Sequence, residues 1–145
     1  MFNRAGPSSK RNKRKHYSTD VVGCTVDRKG SPDKPFRILL DTGSTTSIAL
    51  RWVCDSANVS SFKEHRTQYH TMGGTYETRR KCLLEFMLPE FSNSKTIKSS
   101  VNVDETHDRS EVRYDVIIGR DILTELGIVF DFNKKISYGT MYQFL

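Results

Sequence analysis

The sequence predicts an all-β domain: a closed or nearly closed β-barrel of many short strands, with a projecting hairpin and one short helix. Three observations carry that expectation. Short apolar, β-branched stretches recur between turn-forming clusters. Two of them, Phe36–Leu40 and Tyr114–Gly119, are apolar enough to be buried on both faces. Met72-Gly73-Gly74-Thr75 interrupts a third β-forming stretch with paired glycines, which supply the positive φ that a tight hairpin turn needs. Many short strands with frequent turns favour closure, because closure removes exposed sheet edges.

In chain order, residues 1–19 contain Gly6-Pro7-Ser8-Ser9 and a basic cluster with almost nothing to bury, and are expected to form a disordered tail on a domain spanning 20–145. Val21–Val26 reads as a strand. Arg28–Pro35, rich in Gly, Pro and Asp, reads as a turn region. Phe36–Leu40 is a strand that runs into Asp41-Thr42-Gly43-Ser44-Thr45, and Ser47–Val53 reads as a further short strand. Gln68–Arg79 is the hairpin, and Lys81–Leu88 a buried strand closed by Pro89. Asn93–Ser100 reads as polar loop and Val101–Asp108 as an exposed edge or loop. Tyr114–Gly119 is the second strongly buried strand. Asp121–Leu126 is a short helix, stopped at Gly127 by a left-handed residue. Ile128–Phe132 and Ile136–Phe144 form a last strand pair. No internal repeat is visible.

Composition narrows the function classes. A chain of 145 residues with 36% hydrophobic content supports one domain with a modest core. No apolar run approaches the roughly 20 residues of a membrane span, and the basic start lacks the apolar segment of a secretory signal. Cys24, Cys54 and Cys82 are too few and too scattered for a disulfide framework, so they read as buried or half-buried thiols of an intracellular protein. His16, His65, His70 and His107 share no ligand spacing with each other or with the cysteines, so neither a metal nor a cofactor is expected. Six of the 23 Lys and Arg precede the first acidic residue, Asp20, and the remaining seventeen match the 17 Asp and Glu. The whole net charge of +6 therefore lies in the tail, on a neutral domain. That tail could make a weak RNA contact or be a solvated linker, and both readings stay open.

Ile38-Leu39-Leu40-Asp41-Thr42-Gly43-Ser44 is the most specific stretch. A carboxylate at the end of a buried apolar strand is partly desolvated, which makes its protonation state tunable. Gly43 permits the sharp loop that turns it outward, and Thr42 and Ser44 offer hydroxyls to hold the loop. Alone, Asp-Thr-Gly is a common turn. Here it is followed in order by the Met72-Gly73-Gly74 hairpin and by Val116-Ile117-Ile118-Gly119-Arg120-Asp121-Ile122-Leu123. Together these resemble the retropepsin family of aspartic proteases, over roughly residues 20–145. Leu84–Phe91 and Phe130-Asp131-Phe132 look more like the gypsy-type LTR retrotransposon members.

The resemblance implies a retropepsin-like closed barrel and an aspartic endopeptidase acting on the element's own polyprotein, in the cytoplasm or a virus-like particle. It implies Asp41 as the catalytic aspartate, with Thr42, Gly43 and Ser44 as the active-site loop. Thr42 would lock the two subunits' loops together, and Ser44 would bond the outer oxygen of Asp41. Met72, Gly73, Gly74 and Thr75 would be the tip of a flap over the substrate. Ile117 would line a side-chain pocket, and Thr45 takes the place of an Asp that in many retroviral members binds the substrate backbone. Gly119, Arg120 and Asp121 would be structural: Gly119 for tight passage beneath the loop, Arg120 for the subunit and dimer, Asp121 for the helix start.

Aspartic proteolysis needs two adjacent carboxylates sharing a proton. This sequence carries one Asp-Thr-Gly; Asp55-Ser56-Ala57 lacks the glycine, and Asp131 has no Thr-Gly behind it. The second carboxylate is therefore expected from an identical chain across a two-fold axis, with an extended polypeptide as substrate. The competing expectation is an inactive protease-like module, a retroelement remnant or domesticated domain used for dimerisation or binding. Tyr76, on the returning strand, is open to either substrate contact or cross-strand packing.

Overall fold

The computed structural model describes residues 18–56, 61–92, 94–131 and 135–137, with side chains placed for 18–56, 66–92 and 94–128. The expected tail lies outside them up to residue 17, but Ser18 and Thr19, which the sequence assigned to it, already open the first strand. The described elements are β1 (Ser18–Val26), β2 (Pro32–Asp41), β3 (Ile48–Leu50), α1 (Arg51–Ser56), β4 (Ser61–Thr71), β5 (Gly74–Met87), β6 (Thr96–Asp104), β7 (Val116–Ile118), α2 (Arg120–Leu126), β8 (Val129–Asp131) and β9 (Lys135–Ser137). Seven strands form one sheet in the order β1-β2-β7-β3-β6-β5-β4. A further pairing of Cys24 with Met87 and Thr25 with Phe86 joins β1 to β5 and closes the barrel. β8 and β9 pair separately as a short hairpin.

The centre of the sheet is built from strands buried on both faces. On β2, Ile38 and Leu40 enter the main core while Leu39 points to the opposite face; on β7, Val116 and Ile118 enter it while Ile117 points away. The alternation is the two-residue period of a strand, and here both faces are apolar. Parallel pairing sets Leu39 beside Ile117, and antiparallel pairing sets Ile48 of β3 on its other side. These three side chains form a continuous apolar row on the face away from the main core. Within the core, Phe36 meets Phe86 edge to face at 6.2 Å, a favourable aromatic geometry.

Several expectations are corrected. β2 starts at Pro32, inside the predicted turn region, which shrinks to the Asp27–Ser31 turn: Lys29 and Ser31 donate backbone N–H to the Asp27 carboxylate, at 2.9 Å each. Ser47–Val53 is not one strand. β3 ends at Leu50 and α1 follows, so there are two short helices where one was expected. Val53 and Cys54 are the buried residues of α1, and that anchoring accounts for a helix too short to persist by its own propensity. Within the loop and exposed edge predicted over 93–108, Thr96–Asp104 is instead the interior strand β6, flanked by β3 and β5, with Val101, Asn102, Val103 and Asp104 all buried. Of the paired glycines only Gly74 has positive φ, at 128°. α2 and its left-handed stop at Gly127 (φ 68°) form as predicted. The last strand pair is present over Val129–Asp131 and Lys135–Ser137, and the rest of its predicted span, in residues 132–134 and 138–145, lies outside the described residues.

Candidate active site

Asp41 ends β2 at 0% exposure. Its Oδ1 accepts the backbone N–H of Gly43 at 2.8 Å, and its backbone carbonyl accepts that of Ser44 at 3.2 Å, so the chain turns sharply under the carboxylate. The Ser44 hydroxyl, expected on Asp41, donates to the Thr46 carbonyl at 2.7 Å instead. The turn explains this: Ser44 is drawn inside the loop, itself buried, where the Thr46 carbonyl is its neighbour. Thr42 is half-buried and Thr45 is exposed.

The loop is fixed from below by the start of α2. Ser47 donates its backbone N–H to Asp121 Oδ2 at 3.1 Å and its hydroxyl to Oδ1 at 2.7 Å. The same hydroxyl accepts the Gly119 N–H at 3.0 Å, and Arg120 N–H reaches the Ser44 carbonyl at 2.8 Å. Asp121 also accepts its neighbour Ile122 N–H at 2.7 Å, opening the helix. Gly119 passes so close that a Cβ there would lie 2.5 Å from the Thr46 carbonyl oxygen and 2.7 Å from that of Ser44. Both are backbone atoms, with little room to yield. The sequence assigns Ser47 no role in holding the loop, although a buried serine bonded to Asp121 holds it; its partner is 74 residues away, beyond the reach of any local pattern.

Above the carboxylate sits the β4–β5 turn. Met72 donates its backbone N–H to Asp41 Oδ2 at 3.3 Å, while the residue as a whole is 60% exposed. Thr71 Oγ1 accepts the Gly73 N–H at 3.1 Å and donates to the Gly74 carbonyl at 3.0 Å, closing the tip locally; Thr75, exposed, meets His70 across it at 3.2 Å. The Ile117 side chain lies directly beneath Gly73, where a Cβ would be 2.6 Å from Ile117 Cδ1. Thus Asp41, the hairpin tip and Ile117 converge, while Gly119 and Asp121 support the loop from behind.

A second polar centre braces the same sheet. Asp115, 1% exposed, accepts from Arg37 N–H at 2.7 Å, Arg37 Nε at 3.0 Å, Arg37 Nη2 at 3.1 Å and Trp52 Nε1 at 3.2 Å. Burial alone would raise its pKa, but the hydrogen bonds from Arg37 and Trp52, with the guanidinium charge, bring it below the ordinary value. Among the described residues no cluster of His, Cys, Asp and Glu is arranged to hold a metal ion, and no helix is long and apolar enough to cross a membrane.

No family model matches the sequence, and no curated protein matches it. Among solved structures, the retroviral protease-like domain of Ddi1 from Leishmania major is similar over 84% of this chain and 88% of that one, with 16% identity and a TM-score of 0.55. The EIAV protease, solved with the inhibitor HBY-793, aligns over 81% of this chain and 92% of its own, with 22% identity and a TM-score of 0.45. At such identities the likeness concerns the fold: this chain is an all-β, retropepsin-like barrel.

Proposed function

We propose that the chain is an aspartic endopeptidase of the retropepsin type, active as a homodimer in which each subunit contributes one Asp41. The observation that carries this reading is the position of that carboxylate. It ends a buried strand, is held by a backbone N–H on one oxygen, and lies directly beneath a hairpin tip. A structural aspartate of a barrel has no use for a hairpin folded over it. One carboxylate cannot act as base and acid together, so the chemistry requires a second, brought to the first across a two-fold axis. The ionised member of the pair takes a proton from water, which attacks the peptide carbonyl; the protonated member donates to the carbonyl oxygen. Thr42 would join the two loops, Arg120 would support the dimer, and Thr45 and Ile117 would contact an extended polypeptide added like a strand beneath the flap. Apolar side chains beside the scissile bond fit a pocket built on Ile117. A polyprotein of a gypsy-type retroelement is the substrate that the motif order suggests.

The test is peptidase activity at mildly acid pH as a function of protein concentration. Activity should rise more steeply than linearly, be blocked by pepstatin, and vanish in Asp41→Asn with the fold intact. Cleavage that survives in Asp41→Asn would overturn the assignment of Asp41. A well-folded dimer that cleaves nothing in a broad peptide library would favour the inactive binding module instead.

A further inference from the structure

The space above Asp41 is already filled, and by the chain itself. Tyr76, the third residue of β5, is 2% exposed, and its ring lies in a small apolar cluster with Leu39, Ile48 and Ile117. Those three form the row across β2, β7 and β3 on the face away from the main core, where a substrate side chain would have to sit. Two surface cavities lie away from it: one of about 990 Å³ runs along Arg51, Arg66, Arg79 and Arg80, and another of about 450 Å³ lies beside Trp52 and Arg109. We propose that the hairpin is a self-occluding lid with Tyr76 as its plug, so that a substrate side chain enters the Leu39–Ile48–Ile117 pocket by displacing the tyrosine ring, and Tyr76 sets the size of side chain accepted.

Three features on the page support this, resting on the peptidase reading only for what the pocket receives. First, Met72 N–H occupies Asp41 Oδ2, an oxygen that a catalytic water would have to contact, so the lid must rise before any chemistry. Second, the plug and the tip are one unit. Tyr76 donates its hydroxyl to the Gly73 carbonyl at 2.9 Å, and Gly73 rests against Ile117, where a Cβ would lie 2.6 Å from Ile117 Cδ1. Burial, followed by the charge of Asp104, pushes the Tyr76 phenol up to about 12, so it remains a donor throughout the neutral range. Third, the ring is braced from outside the hairpin. His107 meets it edge to face at 5.3 Å and is itself tied through Nδ1 to the fully buried Asp104 at 2.9 Å. Tyr69 of β4, partly buried, packs against the same cluster from the other strand of the hairpin.

Amide hydrogen exchange of the full chain, followed residue by residue by NMR, tests the lid without substrate. The Met72 amide should be protected in the wild type. Tyr76→Ala should accelerate its exchange at least tenfold, and Tyr76→Phe, which keeps the ring but loses the Gly73 bond, about fivefold. Amides of Leu39 and Ile117 should not change. An unprotected Met72 amide, or one unaffected by either substitution, overturns the lid; should Tyr76→Ala fail to fold, Tyr76→Phe decides. A wild type that cleaves no peptide would refute the peptidase reading and leave this exchange result standing. Where cleavage occurs, Tyr76→Ala should lower KM most for peptides with the largest apolar side chains, without a matching rise in kcat. A uniform change across peptides of all sizes would refute the size-selecting role.

Discussion

Two segments meet at Asp41, and they are held in opposite ways. The loop from Asp41 to Ser47 is anchored from behind by Asp121, Gly119 and Arg120, through bonds that join residues more than 70 positions apart and are largely shielded from water. The hairpin tip from Thr71 to Tyr76 is closed mainly by bonds within five residues, several of them exposed. Its long-range ties are the Met72 amide on Asp41 and the Tyr76 ring in its pocket. Long-range buried bonds break only when the domain unfolds, whereas local exposed ones break in small openings. The site therefore combines a floor as stable as the barrel with a lid that can open alone.

The sharpest way to break the floor is Gly119→Ala. Its Cβ would fall within 2.7 Å of two backbone carbonyl oxygens of the Asp41–Ser47 loop, so the loop itself must move. We expect a loss of about 3 kcal/mol in unfolding free energy, from overpacking that rotamer changes cannot relieve. Denaturant titration measures it, and the loss should appear as a lower midpoint with an unchanged slope. Retention of wild-type stability would mean that the loop is as adaptable as the lid, and the contrast would disappear.

Acid should weaken the floor next. In the folded protein Asp115 holds its proton less tightly than an ordinary aspartate, whose pKa is about 3.9. The unfolded chain therefore binds more protons as pH falls through that value, and the stability that Asp115 confers, complete above it, is lost below it. Arg37 is partly open to water, with 44% of its side chain exposed, so the effect is smaller than that of a sealed ion pair. Comparing the unfolding midpoint at about pH 6 and about pH 3, the decline should be shallower in Asp115→Asn than in the wild type. Equal declines would remove Asp115 from the account.

The same contrast explains what was legible in the sequence. Strands β2 and β7 stand out because burial on both faces leaves an unbroken apolar run, and α2 because Gly127 marks its end. The hairpin is visible because Gly73 and Gly74 are turn formers. β6 is hidden: Thr96, Lys98, Ser99 and Ser100 give it a polar start, and its buried Asn102 and Asp104 read as loop until the partners that satisfy them are known. α1 is hidden because its helical form depends on where Val53 and Cys54 are buried. At the site, the motif exposes Asp41, Gly119 and Asp121, but the bond joining Ser47 to Asp121 exists only because β3 pairs with β7. Tyr76 is undecided in sequence between packing and substrate contact. In the structure its ring packs beneath its own hairpin in the row of Leu39, Ile48 and Ile117.

The smallest expected effect separates the local closure of the lid from its plug. Thr71 Oγ1 bridges Gly73 N–H and the Gly74 carbonyl within the tip, so Thr71→Val removes both bonds and keeps the shape of the side chain. These groups lie near water, which can replace the lost partner, and global stability should fall by no more than about 0.5 kcal/mol. The Met72 amide should nevertheless exchange a few-fold faster, because the tip that presents it is less ordered, yet slower than in Tyr76→Ala, where the ring leaves the pocket. The ranking is the informative part. If Thr71→Val frees the Met72 amide as fully as Tyr76→Ala does, the tip closes through its own turn and the tyrosine is a passenger. If the two differ as expected, the pocket holds the lid, and whatever enters that pocket opens it.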